Sequence, residues 1–361
     1  MDRNALTDIA GANLATGTVH DPGGGTMPQA QHKRHTIYEV AAAAGVSIAT
    51  VSRVISRPEV VAASTRTRVL AAIDALNYVP DGAARSLAAR QNEAVAVALP
   101  ELNGPYYAEL LSGFESAASE IGASIVLTLT RGKPSVDAEL RRLAGRVDAL
   151  AIHSGTGVSA ATLESLHRKV PVVVVAGPRH PHITTLSTEN VESASRLTGH
   201  LIDTHQRRQL LFVGDPTAAD DIAGRYLGFR AAHASRGLTA PEPLRCEAVE
   251  AEGRRVAAFL AAGELTADGL VCANDELALA LVHELSRSGL DVPGRISVTG
   301  WDDMMAARYL TPGLSTVRQP VRDLGELVVN HISHLLGHRE EPVAPRRLAT
   351  SVILRQSCGC S

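Results

Sequence analysis

The strongest constraint on the fold is a repeating pattern in the last three quarters of the chain, where short apolar runs alternate with helix-length segments. Continuous Val, Ala and Leu strands that are joined by helices form parallel sheets covered on both faces. The pattern therefore predicts an α/β fold, and about 250 residues of it exceed what one open sheet holds, so two lobes with a cleft between them are expected. The predicted strands are AVAVALP (94–100), ASIVLTLT (123–130), VDALAIH (147–153), PVVVVA (171–176), QLLFVGD (209–215), DGLVCAN (268–274) and RISVTGW (295–301).

Two short helices are predicted upstream of the strands. Thr36 and Glu39 have the spacing of a capping box, and Gly45 ends the helix that they begin. Ser47 can cap a second helix directly after this turn. Its apolar positions repeat at helical spacing, at Val51, Val54 and Ile55.

A third helix is expected to follow Ser64 and to end at residues 78–80, because the residue before a proline avoids helical geometry. Three short helices with a tight glycine turn between the first two make a helix-turn-helix. The predicted core stripe of the third helix consists of Val69, Leu70, Ile73 and Leu76.

Charge is distributed unevenly along the chain. Residues 32–90 hold eight Lys or Arg side chains against four acidic ones, a net charge of +4, and because the whole chain carries −3, the remainder carries −7. A small basic unit on an acidic body is the asymmetry expected when only one part of a protein approaches phosphates.

Nothing in the composition indicates a membrane protein or a secreted one. No apolar run approaches the roughly 18 residues that span a bilayer. The first 31 residues lack the basic start and apolar run of a secretory signal, so a cytoplasmic protein is expected. Residues 1–34 are predicted to form a disordered arm, and Met27 is a second candidate for the start of translation.

The four cysteines fit neither the C-x-x-C pairs of a zinc site nor the disulfide framework of a small secreted domain. Cys358 and Cys360 form a terminal CGC, where a frayed tail would do little to lower a thiol pKa. No metal and no cofactor are therefore expected, and a metal or redox role for the CGC pair is the less favoured interpretation.

The second helix of a helix-turn-helix enters the DNA major groove and reads base edges with residues near its N-terminus. Here these residues are Ile48, Ala49 and Arg53. Arg53 could donate two hydrogen bonds to guanine O6 and N7, whereas Ile48 and Ala49 offer only shape and methyl contacts. The alternative for Arg53 is that it is an ordinary solvated side chain on a helix that only packs against the others. The hydroxyls that could hold phosphate oxygens are those of Thr36, Tyr38, Ser47, Thr50 and Ser52.

Two longer stretches carry a resemblance to a known family. TIYEVAAAAGVSIATVSRVIS and STRTRVLAAIDALNYVPDGAARSLA closely resemble the headpiece and hinge of the lactose-repressor/galactose-repressor (LacI/GalR) family of bacterial transcription regulators. The paired signatures AGVSxxTVSRV and LNYxPxxxARxLA are highly specific at this separation. The resemblance runs from about residue 36 to the C-terminus.

The resemblance implies further DNA contacts. Residues 81–89 fall on the family's hinge, which becomes a helix on operator DNA and lies in the minor groove, paired with its dimer mate. Leu87 matches the family's leucine lever, which is wedged into the central base step and bends the duplex; a core leucine is the alternative. The expected DNA contacts are completed by Asn77, Tyr78, Ala84 and Arg85.

The resemblance also implies a ligand site between two lobes, as in periplasmic sugar-binding proteins. Tyr106 and Tyr107 match aromatic residues at the cleft mouth, and Arg225 matches an arginine that holds ligand hydroxyls or carboxylates. Asn274 and Asp302 match polar ligand contacts; helix capping is the alternative for both, and the two roles are compatible. Such a set suits a sugar, because hydroxyls require polar partners and aromatic faces cover C–H surfaces.

Three places depart from the family pattern. Ala176-Gly177 stands where many relatives have an acidic residue that accepts sugar hydroxyls, which weakens any assignment to a particular sugar. Glu189-Asn190 replaces the usual Asp-Asn, and His205-Gln206-Arg207-Arg208 replaces the usual Gly-His-Arg-Arg. The second and third departures are expected to concern packing.

The sequence therefore predicts a helix-turn-helix headpiece and a two-lobed, periplasmic-binding-protein-like body with parallel sheets. Its expected organisation is an arm (1–34), a headpiece (35–80), a hinge helix (81–90) and an effector-binding and dimerisation domain (91–361). The expected function is that of a non-enzymatic transcriptional regulator, a repressor, which binds a palindromic operator as a homodimer in the nucleoid. A small-molecule effector, a sugar by its contacts, is expected to set the affinity for operator DNA.

Two alternatives belong to other classes of protein. A plain sugar-binding protein would explain the body but not the headpiece. An α/β enzyme would share the alternating pattern, yet no G-x-G-x-x-G opening a βαβ unit, no G-x-x-x-x-G-K-[ST] and no G-x-S-x-G is found. His153 and His283 are expected to be surface or helix residues rather than catalysts.

Overall fold

The computed structural model describes residues 35–79, 93–338 and 347–361. The chain divides into two compact units, Met1–Gly82 and Ala83–Ser361. The expected hinge contacts Ala84, Arg85 and Leu87 lie outside the described residues.

Three helices make up the described part of the first unit: α1 (Ile37–Ala44), α2 (Ile48–Ser56) and α3 (Ala63–Ala75). The capping box of Thr36 and Glu39 is formed, and Gly45 ends α1 in a left-handed conformation (φ +63°) that glycine adopts without strain. The Ser47 hydroxyl accepts a hydrogen bond from the Thr50 N–H and caps α2. The local sequence signals for the start of α1 and α2 are therefore confirmed.

The core of this unit is made by side chains from all three helices, including Val40, Val51, Val54 and Val69. The predicted stripe on α3 is wrong at Leu70, which is 47% exposed. The helix begins at Ala63, and its buried positions are Val69 and Ala72, which share one face at i, i+3. Leu70 lies about 100° around the helix from Val69 and faces outward.

The second unit contains eleven strands and nine helices among its described residues. In chain order they are β1 (Ala94–Leu99), α4 (Pro105–Glu120), β2 (Ser124–Leu129), α5 (Val136–Leu143), β3 (Ala149–His153), α6 (Ala160–His167), β4 (Val172–Val175), β5 (Thr184–Thr188), α7 (Val191–Asp203), β6 (Leu210–Val213), α8 (Asp220–Ala234), α9 (Glu250–Ala262), β7 (Gly269–Cys272), α10 (Asp275–Arg287), β8 (Ser297–Thr299), α11 (Met305–Tyr309), β9 (Thr316–Arg318), α12 (Val321–Leu335), β10 (Arg347–Leu348) and β11 (Ser351–Ile353).

The first lobe is built on a six-stranded parallel sheet in the order β10-β5-β4-β3-β1-β2. Strand β1 is buried on both faces, as the continuous apolar runs predict. Its valines and Leu99 pack against α4 and α12, and its alanines pack against α5 and α6. A Cβ atom on Gly113 of α4 would lie only 2.0 Å from the Arg322 carbonyl oxygen, so α4 and α12 meet backbone to backbone at this glycine.

The second lobe is built on a three-stranded parallel sheet in the order β6-β7-β8, with the antiparallel pair β9 and β11 beside it. One face, with Phe212 and Val271, packs on α7 and α8. The other face, with Val213 and Leu270, packs on α9 and α10. The sheet is therefore covered on both sides, and the prediction of two lobes with parallel sheets is confirmed.

The chain passes between the two lobes three times, at residues 188–191, 318–321 and 348–351. Hydrogen bonds join these crossings to one another. Thr188 Oγ1 donates to Gln319 Oε1, and Thr350 Oγ1 donates to the Glu189 carbonyl oxygen over 3.2 Å. The crossings are thus bonded to each other and not only to the lobes that they connect.

Among residues 35–79, 93–338 and 347–361, no single helix is long and apolar enough to cross a membrane. Helices α1 and α2 satisfy length and composition only when taken together, and the pair is bent by 101°.

Candidate DNA-reading helix and effector site

Helix α2 has one apolar face, which is buried, and one face that is exposed to solvent. Val51 and Val54 are buried in the core of the first unit, which directs the other side of the helix to solvent. Ile48 is 39% exposed, and Ala49 and Arg53 are exposed as well. The three side chains assigned to base contacts are therefore all accessible from outside the headpiece.

The hydroxyls assigned to phosphate contacts lie mainly at the helix starts. Thr36 Oγ1 accepts from the Glu39 N–H over 3.4 Å, and Ser47 Oγ lies 2.9 Å from Thr50 Oγ1. Their first role is thus capping, which also places them beside helix N-termini, where anions are attracted. Tyr38 is 68% exposed.

Two further assigned residues follow α3. Asn77 is exposed and has a positive φ of 46°. Tyr78 packs against the core of the first unit and is half-buried. Tyr78 therefore contributes to the packing of this unit.

Arg225, on α8 in the second lobe, is the most enclosed charged side chain of the expected effector set, at 7% exposure. Its Nε donates to Asn190 Oδ1 over 3.0 Å, and its Nη1 donates to the Ala273 carbonyl oxygen over 2.6 Å. Its guanidinium carbon lies 4.7 Å from the ring centroid of Trp301. Asp221, one turn earlier, lies 3.9 Å from Nη2. The guanidinium is thus held in place on several sides.

Asp302 follows β8 and accepts a hydrogen bond from Gln319 Nε2 over 2.5 Å. Burial raises its pKa to about 7, while Arg225 opposes this shift and Asp275 adds to it. Asp302 does not cap the following helix, so the capping alternative is wrong here. The N–H of Met304, which precedes α11, donates instead to Asp275 Oδ2 over 2.8 Å.

Tyr106 and Tyr107, at the start of α4, bring aromatic rings from the first lobe. The rings meet edge to face with centroids 5.2 Å apart, and both meet the ring of His153, at 6.1 Å and 5.6 Å. Burial raises the pKa of Tyr106, and the charges of Asp221 and Asp302 raise it further. Tyr106 is therefore close to the acidic groups of the second lobe.

His153 contradicts the sequence prediction of a surface or helix residue. It lies buried at the end of β3, because the preceding apolar residues form a strand that runs through the middle of the sheet. Burial lowers its pKa to about 4, so the ring is neutral near pH 7. Its Nδ1 accepts from the Gly155 N–H over 3.1 Å.

Asn274 has the capping role that the sequence allowed. Its Oδ1 accepts from the Leu277 N–H over 3.0 Å and caps α10, and its Nδ2 donates to the Ala248 carbonyl oxygen over 2.8 Å. It directly follows Ala273, whose carbonyl oxygen binds Arg225. Asn274 is therefore next to the Arg225 network without touching it through its own side chain.

A cavity of about 340 Å³ opens beside this network, a size at the low end of small-molecule pockets. Tyr106 and Asp302 belong to its lining, together with Gln319 and Arg318. Tyr107, Arg225 and Asn274 are not part of the lining. The structure thus brings Tyr106 and Asp302 to a common cavity and places Arg225 behind it, within electrostatic range of Asp302.

An ion cluster fixes the wall of this cavity. Asp303 Oδ2 lies 2.7 Å from Arg318 Nε and 3.2 Å from Arg308 Nη2, and its Oδ1 lies 2.5 Å from Arg355 Nη2. Burial works to raise the pKa of Asp303, but the hydrogen bonds from Arg355 and Arg318 outweigh it and hold the pKa below its usual value. The cluster ties β9 and the C-terminal segment to the loop that carries Asp302.

Sequence reasoning missed several members of the network: Asn190, Asp221, Gln319 and Trp301. The sequence marks Asn190 only as part of the Glu189-Asn190 departure, which is expected to concern packing. Asp221 does have a local signal, because it lies four residues before Arg225 on one helix, the spacing of an ion pair. Gln319 and Trp301 have none, because they meet Asp302 and Arg225 only through the tertiary structure.

Two family models match the chain. The model of bacterial regulatory proteins of the lacI family matches residues 36–81, and that of the periplasmic binding protein-like domain matches residues 198–358. Together with the fold, these matches define a DNA-binding transcriptional regulator with a helix-turn-helix unit and a periplasmic-binding-protein-like body.

Individual relatives are similar over nearly their whole length. The HTH-type transcriptional repressor PurR of Photobacterium profundum is 31% identical over 335 residues, which cover 89% of this chain and 98% of that protein. The solved structure of the Lac repressor dimer bound to operator and the anti-inducer ONPF matches with a TM-score of 0.79 at 25% identity, covering 90% of this chain and 99% of that one. The complex of the transcriptional regulator CelR with cellobiose matches with a TM-score of 0.66 at 28% identity, covering 90% and 100%. The chain belongs to the lacI family of bacterial regulatory proteins.

Proposed function

We propose that this protein is a transcriptional repressor that binds a palindromic operator as a homodimer in the bacterial cytoplasm, at the nucleoid. In this proposal residues 35–80 form the DNA-reading headpiece, residues 81–90 the hinge and residues 91–361 the body that binds effector and dimerises. The observation that carries the proposal is the exposed face of α2, on which Ile48, Ala49 and Arg53 stand free of the core. A relative named as a repressor and a Lac repressor dimer solved on its operator support the same assignment.

The effector in this proposal is a sugar bound near Asp302, Tyr106 and Tyr107, with Arg225 behind them. A carboxylate that accepts hydroxyl hydrogen bonds and aromatic rings that cover C–H surfaces are the groups that hold a carbohydrate. The cavity of about 340 Å³ has room for one small ring compound. The cellobiose complex of CelR supports this class of ligand.

The coupling between effector and operator DNA runs through the lobe crossings. Gln319 joins Asp302 in the effector site to Thr188 in the first crossing, and Asn190 joins the same crossing to Arg225. A ligand that changes the contacts of Asp302 or Arg225 therefore acts directly on the segments about which the lobes move. By linkage, an effector that lowers DNA affinity by some factor is itself bound less tightly on DNA by the same factor.

The first experiment selects operator sequences from a random duplex library with the full-length protein. A symmetric site with fixed half-site spacing is expected, with binding that weakens steeply as salt rises. Arg53→Ala should lose about 1 to 3 kcal/mol of discrimination per half-site while keeping much of its non-specific binding. Arg68→Ala, at an exposed arginine on α3, is the matched control. Selection of an asymmetric site, or unchanged specificity of Arg53→Ala, would contradict the proposal.

The second experiment identifies the effector. A thermal-shift screen of sugars and nucleobases on the full chain, repeated with the selected operator, detects both binding and the effect of DNA on binding. A sugar that raises the melting temperature and shifts the operator affinity is the expected result. A nucleobase hit with no sugar response would assign the site to a different ligand class.

A further inference from the structure

Four metal-ligating side chains meet where the C-terminal tail packs on the end of α7. His200 and His205 come from α7 and the turn after it, and Cys358 and Cys360 come from the last residues of the chain. One ligand atom of each residue lies within 4.8 Å of all the others. Among the residues that the structure describes, this is the one group of at least three His, Cys, Asp or Glu side chains with such a geometry.

Four of the six separations among the ligand atoms are close to those of a tetrahedral zinc site, and the other two are at most 4.8 Å. Zn–S bonds of about 2.3 Å and Zn–N bonds of about 2.0 to 2.1 Å imply roughly 3.3 Å between two nitrogens and roughly 3.6 Å between nitrogen and sulfur. The two Nε2 atoms are 3.0 Å apart, and Cys360 Sγ lies 3.3 Å from His200 Nε2 and 3.6 Å from His205 Nε2. Cys358 Sγ lies 3.8 Å from His200 Nε2. Small contractions and expansions would bring all of these distances to the ideal values.

The tail is held in the position that this geometry requires. Ser357 Oγ donates to the Val298 carbonyl oxygen over 2.6 Å, and Ser297 Oγ donates to that of Cys358 over 2.8 Å. The expectation of a frayed CGC tail is therefore wrong, because hydrogen bonds with strand β8, about 60 residues earlier, hold it. Gly359 has a φ of +116°, and a Cβ atom at this position would lie 2.6 Å from His205 Nδ1. A glycine between the two cysteines lets the chain turn closely around the imidazole.

The surroundings fit a structural site better than a catalytic one. His200 Nδ1 lies 3.2 Å from Thr204 Oγ1, a partner of the kind that orients a metal-bound imidazole through its other nitrogen. Cys358 is buried, and the other three side chains are half-buried. Two thiolates and two imidazoles fill a tetrahedral shell, so no position is left for water or substrate.

We propose that His200, His205, Cys358 and Cys360 bind one Zn²⁺ ion that fastens the C-terminal tail to the second lobe. The sulfur and imidazole ligands select zinc over magnesium or calcium, which prefer oxygen ligands. The tail directly follows β11 and the third lobe crossing, so the ion fixes one end of a segment that joins the two lobes. Metal binding at this site adds stability to the second lobe, because the unfolded chain cannot assemble the four ligands.

The experiment measures zinc in the untagged full-length protein, purified with a non-thiol reductant and dialysed against metal-free buffer. One zinc per chain is expected by elemental mass spectrometry, and replacement by Co²⁺ should give thiolate-to-metal charge-transfer absorption and the visible bands of tetrahedral cobalt. Cys360→Ser and His205→Asn should each weaken zinc binding by about 100-fold or more, since changes even outside the ligand shell cost about 10- to 100-fold. Cys360 is partly exposed, so its serine variant is expected to fold.

Matched controls remove the same residue types elsewhere in the second lobe. Cys246→Ser changes a buried cysteine outside the cluster, and His283→Asn changes an exposed histidine on α10. Both should keep one zinc per chain and the cobalt spectrum. The proposal is overturned if the reduced wild-type protein takes up no zinc when zinc is supplied in micromolar excess, if Co²⁺ gives no thiolate absorption, or if Cys246→Ser loses as much metal as Cys360→Ser.

Discussion

Replacing Arg225 by methionine tests the hydrogen-bond network that lies behind the proposed effector cavity. Methionine keeps an unbranched chain of similar reach, which can still pack on Trp301, and removes the charge and all donors. The change leaves Asn190 Oδ1 and the Ala273 carbonyl oxygen without the hydrogen bonds that they accept from Arg225. It also removes the ion-pair partner of the Asp221 carboxyl group, whose side chain is 16% exposed.

The expected loss of stability follows from these contacts. Breaking a buried charge pair by removing one partner costs about 3 to 5 kcal/mol, and the 3.9 Å separation of Arg225 and Asp221 places this pair at the lower end. Two acceptors that lose their donors add about 2 kcal/mol or more. We expect Arg225→Met to lower the free energy of unfolding by about 5 kcal/mol at pH 8.

The loss should depend on pH in a defined direction. Burial raises the pKa of Asp221, and Arg225 opposes this rise, so its removal raises the pKa further. A carboxyl whose pKa is higher in the folded than in the unfolded state takes up a proton on folding. The folded state therefore loses stability as pH rises from about 3.9, the unfolded pKa, through the folded value. The destabilisation by Arg225→Met should be smaller at pH 5 than at pH 8.

The assay is urea unfolding at both pH values for Arg225→Met, Asp221→Asn and the double variant. The coupling free energy of this cycle isolates the pair, and the double variant should recover part of the loss at pH 8. Arg230→Met, at an exposed arginine of the same helix, is the control and should change stability by less than about 0.5 kcal/mol. For an effector found in the screen, Arg225→Met should raise Kd by about tenfold near pH 7, because loss of the cation raises the pKa of Asp302 further and leaves less of that carboxylate ionised.

Unfolding of Arg225→Met at the same urea concentration as Arg230→Met at both pH values would contradict the expected loss of stability. Wild-type effector affinity of an Arg225→Met variant that is destabilised as calculated would contradict a role of Arg225 in ligand binding. The first result would mean that the Arg225–Asp221 pair does not stabilise the fold, and the second would mean that Arg225 is a purely structural residue.

Two further predictions concern Asp302 and Gly113. Because burial raises the pKa of Asp302 to about 7, effector affinity in the wild type should increase about tenfold between pH 6 and pH 8 as the carboxyl ionises. Asp302→Asn should bind more weakly and without this dependence, as measured by calorimetry; the same slope in the variant would assign the titration to another group. Gly113→Ala should destabilise the protein by about 1 to 3 kcal/mol or more, because the new methyl group meets the backbone of α12. Gly145→Ala, where the new methyl group would lie 3.8 Å from the Arg142 carbonyl oxygen, is the control, and equal melting temperatures of both variants would refute the close helix contact.

Local sequence determined much of the fold of this protein. The seven predicted strands are all present, and the caps at Thr36 and Ser47 are formed as expected. These features depend on side-chain periodicity and on hydrogen bonds between residues three or four positions apart, so the sequence carries them directly. Strands β5, β9, β10 and β11 were not predicted, because they are two to five residues long and mostly polar or mixed.

Tertiary structure decided which distant residues meet. Leu70 is apolar and regularly spaced, yet it faces outward because the phase of α3 is set by packing on α1 and α2. The links from Asp302 to Gln319 and from Arg225 to Asn190 exist because three separate segments cross between the lobes. The terminal CGC meets a histidine pair more than 150 positions earlier for the same kind of reason. Such contacts follow from the path of the whole chain, and no local pattern of residues encodes that path.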